Sequence, residues 1–189
     1  MKIFVCVKQV PDTSGKVAVD ENGILIRSSM PTIINPDDMN AMEAALQLKD
    51  ETGCKVVAVT MGPPPAEGML RELIAMGADE GVLISAREFG GSGTFATSQI
   101  AAINHIGIEK DDMIFCGRQA IDGDTAQVGP QIAEKLDMPQ VTYAANIKKE
   151  GNEVTVKRML EDGYMTIKMQ TPCLVTCIKE LNTPRYMSV

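Results

Sequence analysis

The sequence predicts an α/β fold, a mostly parallel sheet with helices on both faces and a β-rich C-terminal extension of that sheet. Three observations carry the prediction. Short, nearly continuous apolar runs such as KIFVCVKQ have the pattern of strands buried on both faces. Single segments of helical period alternate with these runs as far as residue 138, which implies right-handed crossovers and parallel pairing. After Pro139 the helical period gives way to strand-like runs separated by turns at Glu150-Gly151-Asn152 and Asp162-Gly163.

The elements follow in order. KIFVCVKQ is the first strand. KVAVDENGILI alternates around Asn22-Gly23 and reads as a hairpin. NPDDMNAMEAALQLKDETG reads as a helix: Asn35 can cap it, Pro36 suits its first turn, Asp37 and Asp38 favour its positive end, and Gly53 stops it. CKVVAVTMG is a strand, PPAEGMLRELIAMG a helix and EGVLIS a strand. GGSGTFATSQIAAINHIG is a glycine-rich turn opening a third helix. DDMIFCG is the fourth strand, and TAQVGPQIAEKLD continues as a helix. The strand run after Pro139 extends the same sheet, in part antiparallel, with Pro172 at the edge of a strand start. No linker, repeat or low-complexity stretch interrupts the chain. A single domain over residues 1–189 is expected, with a βα core over 1–138, a β-rich extension over 139–180 and a tail over 181–189. That tail ends on apolar residues, as a chain cut short or as a segment that packs on something else.

Composition narrows the function. Of 189 residues 44% are hydrophobic and 23% charged, which suits a folded core and not disorder. The thirteen methionines read as core filling. A formal net charge of -7 repels a polyanion, so a nucleic-acid polymer is excluded as a partner while a single nucleotide is not. Five cysteines (6, 54, 116, 173, 177) lack paired metal-ligand spacing and read as small buried hydrophobes in a reducing compartment. His105, the one histidine, lies in a helical stretch before a glycine and has no nucleophile beside it in the pattern. No apolar run approaches the ~18 residues of a membrane span, and no signal peptide precedes Ile3-Phe4-Val5, so a cytoplasmic protein is expected.

Ligands of open α/β sheets bind beyond the carboxyl ends of the strands. Four loops take those places: residues 7–11, 61–65, 90–97 and 117–129. In the fourth, GRQAIDGDTAQVGP, Gly123 lets a ligand approach the backbone, and Asp124, Thr125 and Ala126 would form the first turn of a helix whose free N–H groups suit a phosphate. Asp124 can cap that helix. Asp122 can accept from loop N–H groups or from a ribose hydroxyl, and Gln127 can reach an amide or a flavin edge. The third loop repeats the arrangement with Ser92, Thr94 and Thr97. An ordinary capped helix explains either loop as well, since neither GxGxxG nor GxxxxGK[ST] is present.

VCVKQVPD, INPDDMNAMEAALQLKD, VTMGPP, AMGADEGVLI, CGRQAIDGDTAQVGPQIAEKL, VKRMLEDGYMTIKMQTPCLVT and LNTPRYMS together resemble the β subunit of electron transfer flavoproteins, in order and over nearly the whole chain. Met165 departs from the family, which usually has Glu or Gln there, and family members usually continue as an arm embracing an α subunit. The resemblance implies an adenine-nucleotide α-hydrolase-like fold and a heterodimer with an electron transfer flavoprotein α subunit. It also implies a redox partner such as an acyl-CoA dehydrogenase, and no catalysis by this chain without the α subunit and flavin. It implies AMP in the β site of ordinary members and a second FAD, reduced by NADH, in electron-bifurcating ones. DGDTAQVGP resembles the bifurcating group, because ordinary members tend to carry an acid where Gly123 stands; FAD is favoured, with AMP the alternative. By position the implied site comprises Cys6, Val7, Asn35, Pro36, Asp37, Asp38, Met61, Thr94 and Thr97. It continues through Asp122, Gly123, Asp124, Thr125, Ala126, Gln127, Val128, Gly129, Pro130, Gln131, Ile132 and Ala133. None of these reads as a proton-transfer catalyst. The rival readings are an adenylating enzyme, against which VKQVPD stands in place of an SGGxDS-like loop, and a non-catalytic ATP- or AMP-binding module.

Overall fold

The protein is described by a computed structural model covering residues 1–12, 31–103 and 107–188. The hairpin expected around Asn22-Gly23 and the residue His105 lie outside the described residues. Strands β1 (Lys2–Cys6), β4 (Lys55–Met61), β5 (Glu80–Ile84) and β6 (Met113–Gly117) alternate with helices α1 (Pro36–Thr52), α2 (Glu67–Met76), α3 (Thr94–Ile103) and α4 (Val128–Lys135). The short strands β2 (Gln9–Pro11) and β3 (Thr32–Ile34) form a separate antiparallel pair that the sequence pattern did not announce. Beyond α4 come β7 (Gln140–Glu150), β8 (Glu153–Leu160), β9 (Gly163–Gln170) and β10 (Cys173–Cys177).

Eight strands make one sheet in the order β5-β4-β1-β6-β10-β7-β8-β9. The expected extension is there, but it does not simply append strands to the outer edge. Strand β10 returns to the middle of the sheet, parallel to β6 (Cys173 opposite Met113) and to β7 (Leu174 opposite Gln140). Its five residues, CLVTC, are buried throughout, which explains their continuous apolar character. Only β7–β8 and β8–β9 pair antiparallel within this sheet.

Alternate side chains of each parallel strand enter opposite cores. Ile3, Val5, Met113, Phe115 and Val175 join α1 and α2 in one apolar cluster. Phe4, Val57, Ile114 and Leu174 join α3 and α4 in the other. Crossovers running from β1 towards β5 therefore lie on one face and those on the return on the opposite face, as right-handed connections require. The direction reverses between β1 and β6, and there the loops leaving the strands diverge and open a cleft.

Helix α1 is buried on more than its core side. Asn40 and Glu43 are 5% and 4% exposed and lie beneath the C-terminal segment. Asn40 exchanges side-chain and backbone hydrogen bonds with Asn182 at 2.9–3.0 Å. The guanidinium of Arg185 grips Glu43 through Nε at 2.9 Å and reaches Asp50 at 2.8 Å. Asn182 and Arg185 thus hold the tail on α1 by polar contacts, and Ser188 N–H donates to Ala75 O of α2 at 3.0 Å, where the sequence left a tail without assigned packing.

Helix α4 approaches β10 closely at Gly129, where an added Cβ would stand 2.8 Å from Thr176 Cγ2. Gly129→Ala is expected to lower stability by about 1–3 kcal/mol through overpacking, read as a fall in the urea midpoint at unchanged slope. An unchanged midpoint would show that α4 shifts freely on the sheet.

Candidate nucleotide site

All four loops named from the sequence meet in one cavity of about 910 Å³ at the carboxyl ends of β1, β4, β5 and β6. Its floor includes Cys6 and Cys116, opposite one another in the β1–β6 register. Its walls come from Val7 and Lys8, from Met61 and Gly62, from residues 84–94, and from the loop 117–129.

The β1 and β6 ends are bound together by one carboxylate. Asp38 Oδ2 accepts the N–H of Lys8 at 2.8 Å and Oδ1 accepts the N–H of Gly117 at 3.0 Å. This junction needs glycine at 117, because a Cβ there would lie 2.7 Å from the backbone nitrogen of Asp38. Burial pushes the Asp38 carboxyl up to about 7, while the two N–H groups and Asn35 favour its charged form. Burial also raises Asp37, against the pull of Arg118, whose Nε stands 3.3 Å from Asp37 Oδ2.

Asn35 holds the N-cap position of α1 but makes no side-chain capping bond. Its amide faces the fourth loop instead, donating to Gln119 O at 2.8 Å and accepting from Ile121 N at 3.1 Å. Asn35 is fully buried, so its side chain fastens the loop from below.

The fourth loop differs from the helical turn expected there. Helix α4 begins at Val128, not at Thr125. Asp124 (φ 50°) and Ala126 (φ 53°) adopt left-handed conformations, which cannot continue a right-handed helix. Asp124 therefore caps nothing; its Oδ1 accepts from Gln119 Nε2 at 2.8 Å. Left-handed Ala126 is followed by right-handed Gln127 (φ -108°, ψ -28°), an alternation that turns successive N–H groups to one side as an anion-binding concavity. Among the described residues no acceptor meets the N–H groups of Thr125, Ala126, Gln127, Val128 or Gly129, and all five residues line the cavity.

Of the residues expected at the site, the cavity brings together Cys6, Val7, Asp38, Met61, Thr94, Thr97, Gly123, Asp124, Thr125, Ala126, Gln127, Val128, Gly129 and Ile132. The others stand behind it. Asn35 braces the loop, Pro36 and Pro130 lie in the first turns of their helices, Asp37 stands beside Arg118, and Ala133 is in the core. Gln131 accepts from Ser98, as Gln127 accepts from Thr94, so α3 and α4 are tied where they flank the cleft. Asp122 makes an ion pair with Lys8, with Nζ 2.7 and 2.8 Å from its two oxygens. Lys8, Gly117 and Arg118 fall in loops the sequence placed at the strand ends but were not assigned to the site, and Arg87 lay in neither the named loops nor the site. Among the described residues no His, Cys, Asp or Glu cluster suits a metal ion, and no helix is long and apolar enough to cross a membrane.

The raised pKa values of Asp37 and Asp38 have a consequence for stability. The folded state holds the Asp38 proton more tightly than the unfolded chain, whose ordinary value is 3.8, so stability falls as pH rises from about 4 to about 7 and levels off outside that window. Asp37 acts in the same direction. Asp38→Asn is expected to flatten this decline, on the order of a few kcal/mol, in urea unfolding measured across that range. A slope identical to the wild type would mean that Asp38 is not the group responsible.

A family model described as electron transfer flavoprotein domain matches residues 22–188. The chain is 74% identical over its whole length to the acryloyl-CoA reductase electron transfer subunit gamma of Anaerotignum propionicum, of which it covers 72%. It is 57% identical, again over its whole length, to the caffeyl-CoA reductase-Etf complex subunit CarD of Acetobacterium woodii and covers 72% of it. With the electron transfer flavoprotein subunit beta of Clostridium acetobutylicum it shares 55% identity, covering all of this chain and 73% of that one. The family model over most of the chain and these relatives show the family: the chain belongs to the electron transfer flavoprotein β subunit family.

Proposed function

We propose that this chain holds FAD, or in the alternative AMP, in the cavity at the strand ends, as the β subunit of an electron-carrying heterodimer. The observation that carries the reading is the row of five N–H groups from Thr125 to Gly129 that no acceptor meets among the described residues, on residues that line the cavity where a helix begins. These donors suit a phosphate or pyrophosphate. The side chains of Val7, Val59, Met61 and Ile84 offer an apolar wall for a flat ring. A flavin bound there would supply the electron-accepting and electron-donating chemistry. The residues of this chain bind it, orient it and exclude water; among the described residues none is arranged as a nucleophile–base pair.

An electron transfer flavoprotein α subunit is the inferred obligate partner. Relatives named as subunits of acryloyl-CoA and caffeyl-CoA reductases support a redox partner acting on acyl-CoA thioesters, with NADH as the inferred donor and electron bifurcation as the inferred mode. Five unpaired cysteines suit a reducing, cytoplasmic setting. An adenylating enzyme or a stand-alone ATP-binding module is not favoured, given the family.

Small molecules released by denaturing the native complex, identified by absorbance and chromatography, test the proposal. FAD or AMP supports it, and ATP or ADP overturns it. Two FAD per heterodimer supports bifurcation; one FAD with one AMP rules it out. Gly123→Asp adds a finer test, because nothing lies within 4 Å of a Cβ built at Gly123, so the backbone has room for a side chain to begin there. The variant is expected to weaken FAD by about tenfold, or ~1.4 kcal/mol, and AMP by less. Equal losses would sink the assignment of this position to the longer ligand.

A further inference from the structure

Two carboxylates on a turn that would hold an anion pose an electrostatic problem. Resting on the nucleotide reading above, we propose that Lys8 is a positioning residue of the site. It cancels the charge of Asp122 beside the phosphate niche and straps the loop 118–127 to the end of β1, so that affinity depends on ligand charge through this ion pair.

The geometry is specific. The ammonium of Lys8 reaches both oxygens of Asp122, residues 114 positions apart in the chain. The backbone N–H of Lys8 is itself fixed to buried Asp38 at 2.8 Å, so the lysine stem starts from an anchored point. Lys8 lines the cavity together with Gly123, Thr125 and Gly129. The other cations lining the cavity do not pair with Asp122. Arg118 stands beside Asp37 at 3.3 Å, and Asp124 is met by the neutral amide of Gln119. Arg87 belongs to the wall formed after β5 and, among the described residues, pairs with no carboxylate. Removing the lysine charge would therefore add one uncompensated negative charge at the mouth of a protein already at -7. The pair is partly exposed, with side chains 51% and 31% accessible, so the effect is modest and screened by salt.

The test titrates AMP and uncharged adenosine against wild type, Lys8→Gln, Asp122→Asn and the double variant at low ionic strength. Lys8→Gln is expected to weaken AMP about fivefold and adenosine by less than about twofold. Asp122→Asn is expected to bind AMP at least as well as wild type, a sign that does not depend on the lysine variant folding well. The double variant is expected to restore AMP binding to within about twofold of wild type. Loss of AMP and adenosine in equal proportion would reduce Lys8 to a mechanical strap, and a double variant as weak as Lys8→Gln would remove the charge argument; either overturns the proposal. A wild-type protein that binds neither ligand nor FAD overturns the nucleotide reading itself, an outcome visible before any variant is made.

Discussion

The carboxylate of Asp38 is the constraint on which the carboxyl edge of the sheet depends. It receives one N–H from the chain leaving β1 and one from the end of β6, and it sits on the first turn of α1. Those three segments can converge only because residue 117 has no side chain. The result places the first turn of α1 against the exits of two neighbouring strands at the point where the chain reverses its winding. Burying a carboxylate there is costly, and the rise of its pKa to about 7 expresses that cost. What the arrangement gains is a fixed origin for the loops after β1 and β6, the two loops whose separation defines the cavity.

From that origin the acidic side chains are neutralised one by one. Asp122 is met by Lys8, Asp37 faces Arg118, Asp38 takes backbone N–H groups, and Asp124 takes a neutral amide. Each contact also holds a loop residue in place, so charge compensation and loop geometry are achieved by the same bonds. The backbone N–H groups of residues 125–129 are then the donors that no acceptor meets among the described residues, and they give the proposed anion site its donors in a protein of net charge -7. The acids of the turn serve its architecture, while residues 125–129 line the cavity.

Much of this was legible in the sequence, and the failures have identifiable causes. The parallel strands and α1, α2 and α3 follow from apolar runs, helical spacing and the glycines and prolines between them. The convergence of four strand-end loops follows from the fold class. The start of α4 did not, because left-handed Ala126 carries no local signature: alanine is a strong helix former, and only the surrounding contacts hold it in that region. Asn35 looked like a cap because of its type and position, yet its side chain serves a loop more than eighty residues away. The insertion of β10 between β6 and β7 was also invisible, since strand order is a property of long-range pairing and not of periodicity. Lys8 escaped notice for a similar reason, because a strand-end lysine becomes informative only when its partner in the distant loop is known.

Helix α1 connects these observations to the rest of the molecule. An ordinary surface helix presents an apolar stripe to the core and a solvated face outward. In α1 the outward positions Asn40 and Glu43 are buried as well, beneath residues 182–188. Polar groups so enclosed must be matched, and they are: Asn40 by Asn182, Glu43 by Arg185. Breaking either match would leave a buried amide or carboxylate unsatisfied, a larger penalty than the net gain from forming it. The helix is therefore confined on the sheet side by packing and on the outer side by directional bonds. A helix confined in this way can hold Asp38 against the strand ends despite the cost of burying its charge, and the same contacts leave Tyr186, 97% exposed, directed into solvent beside it.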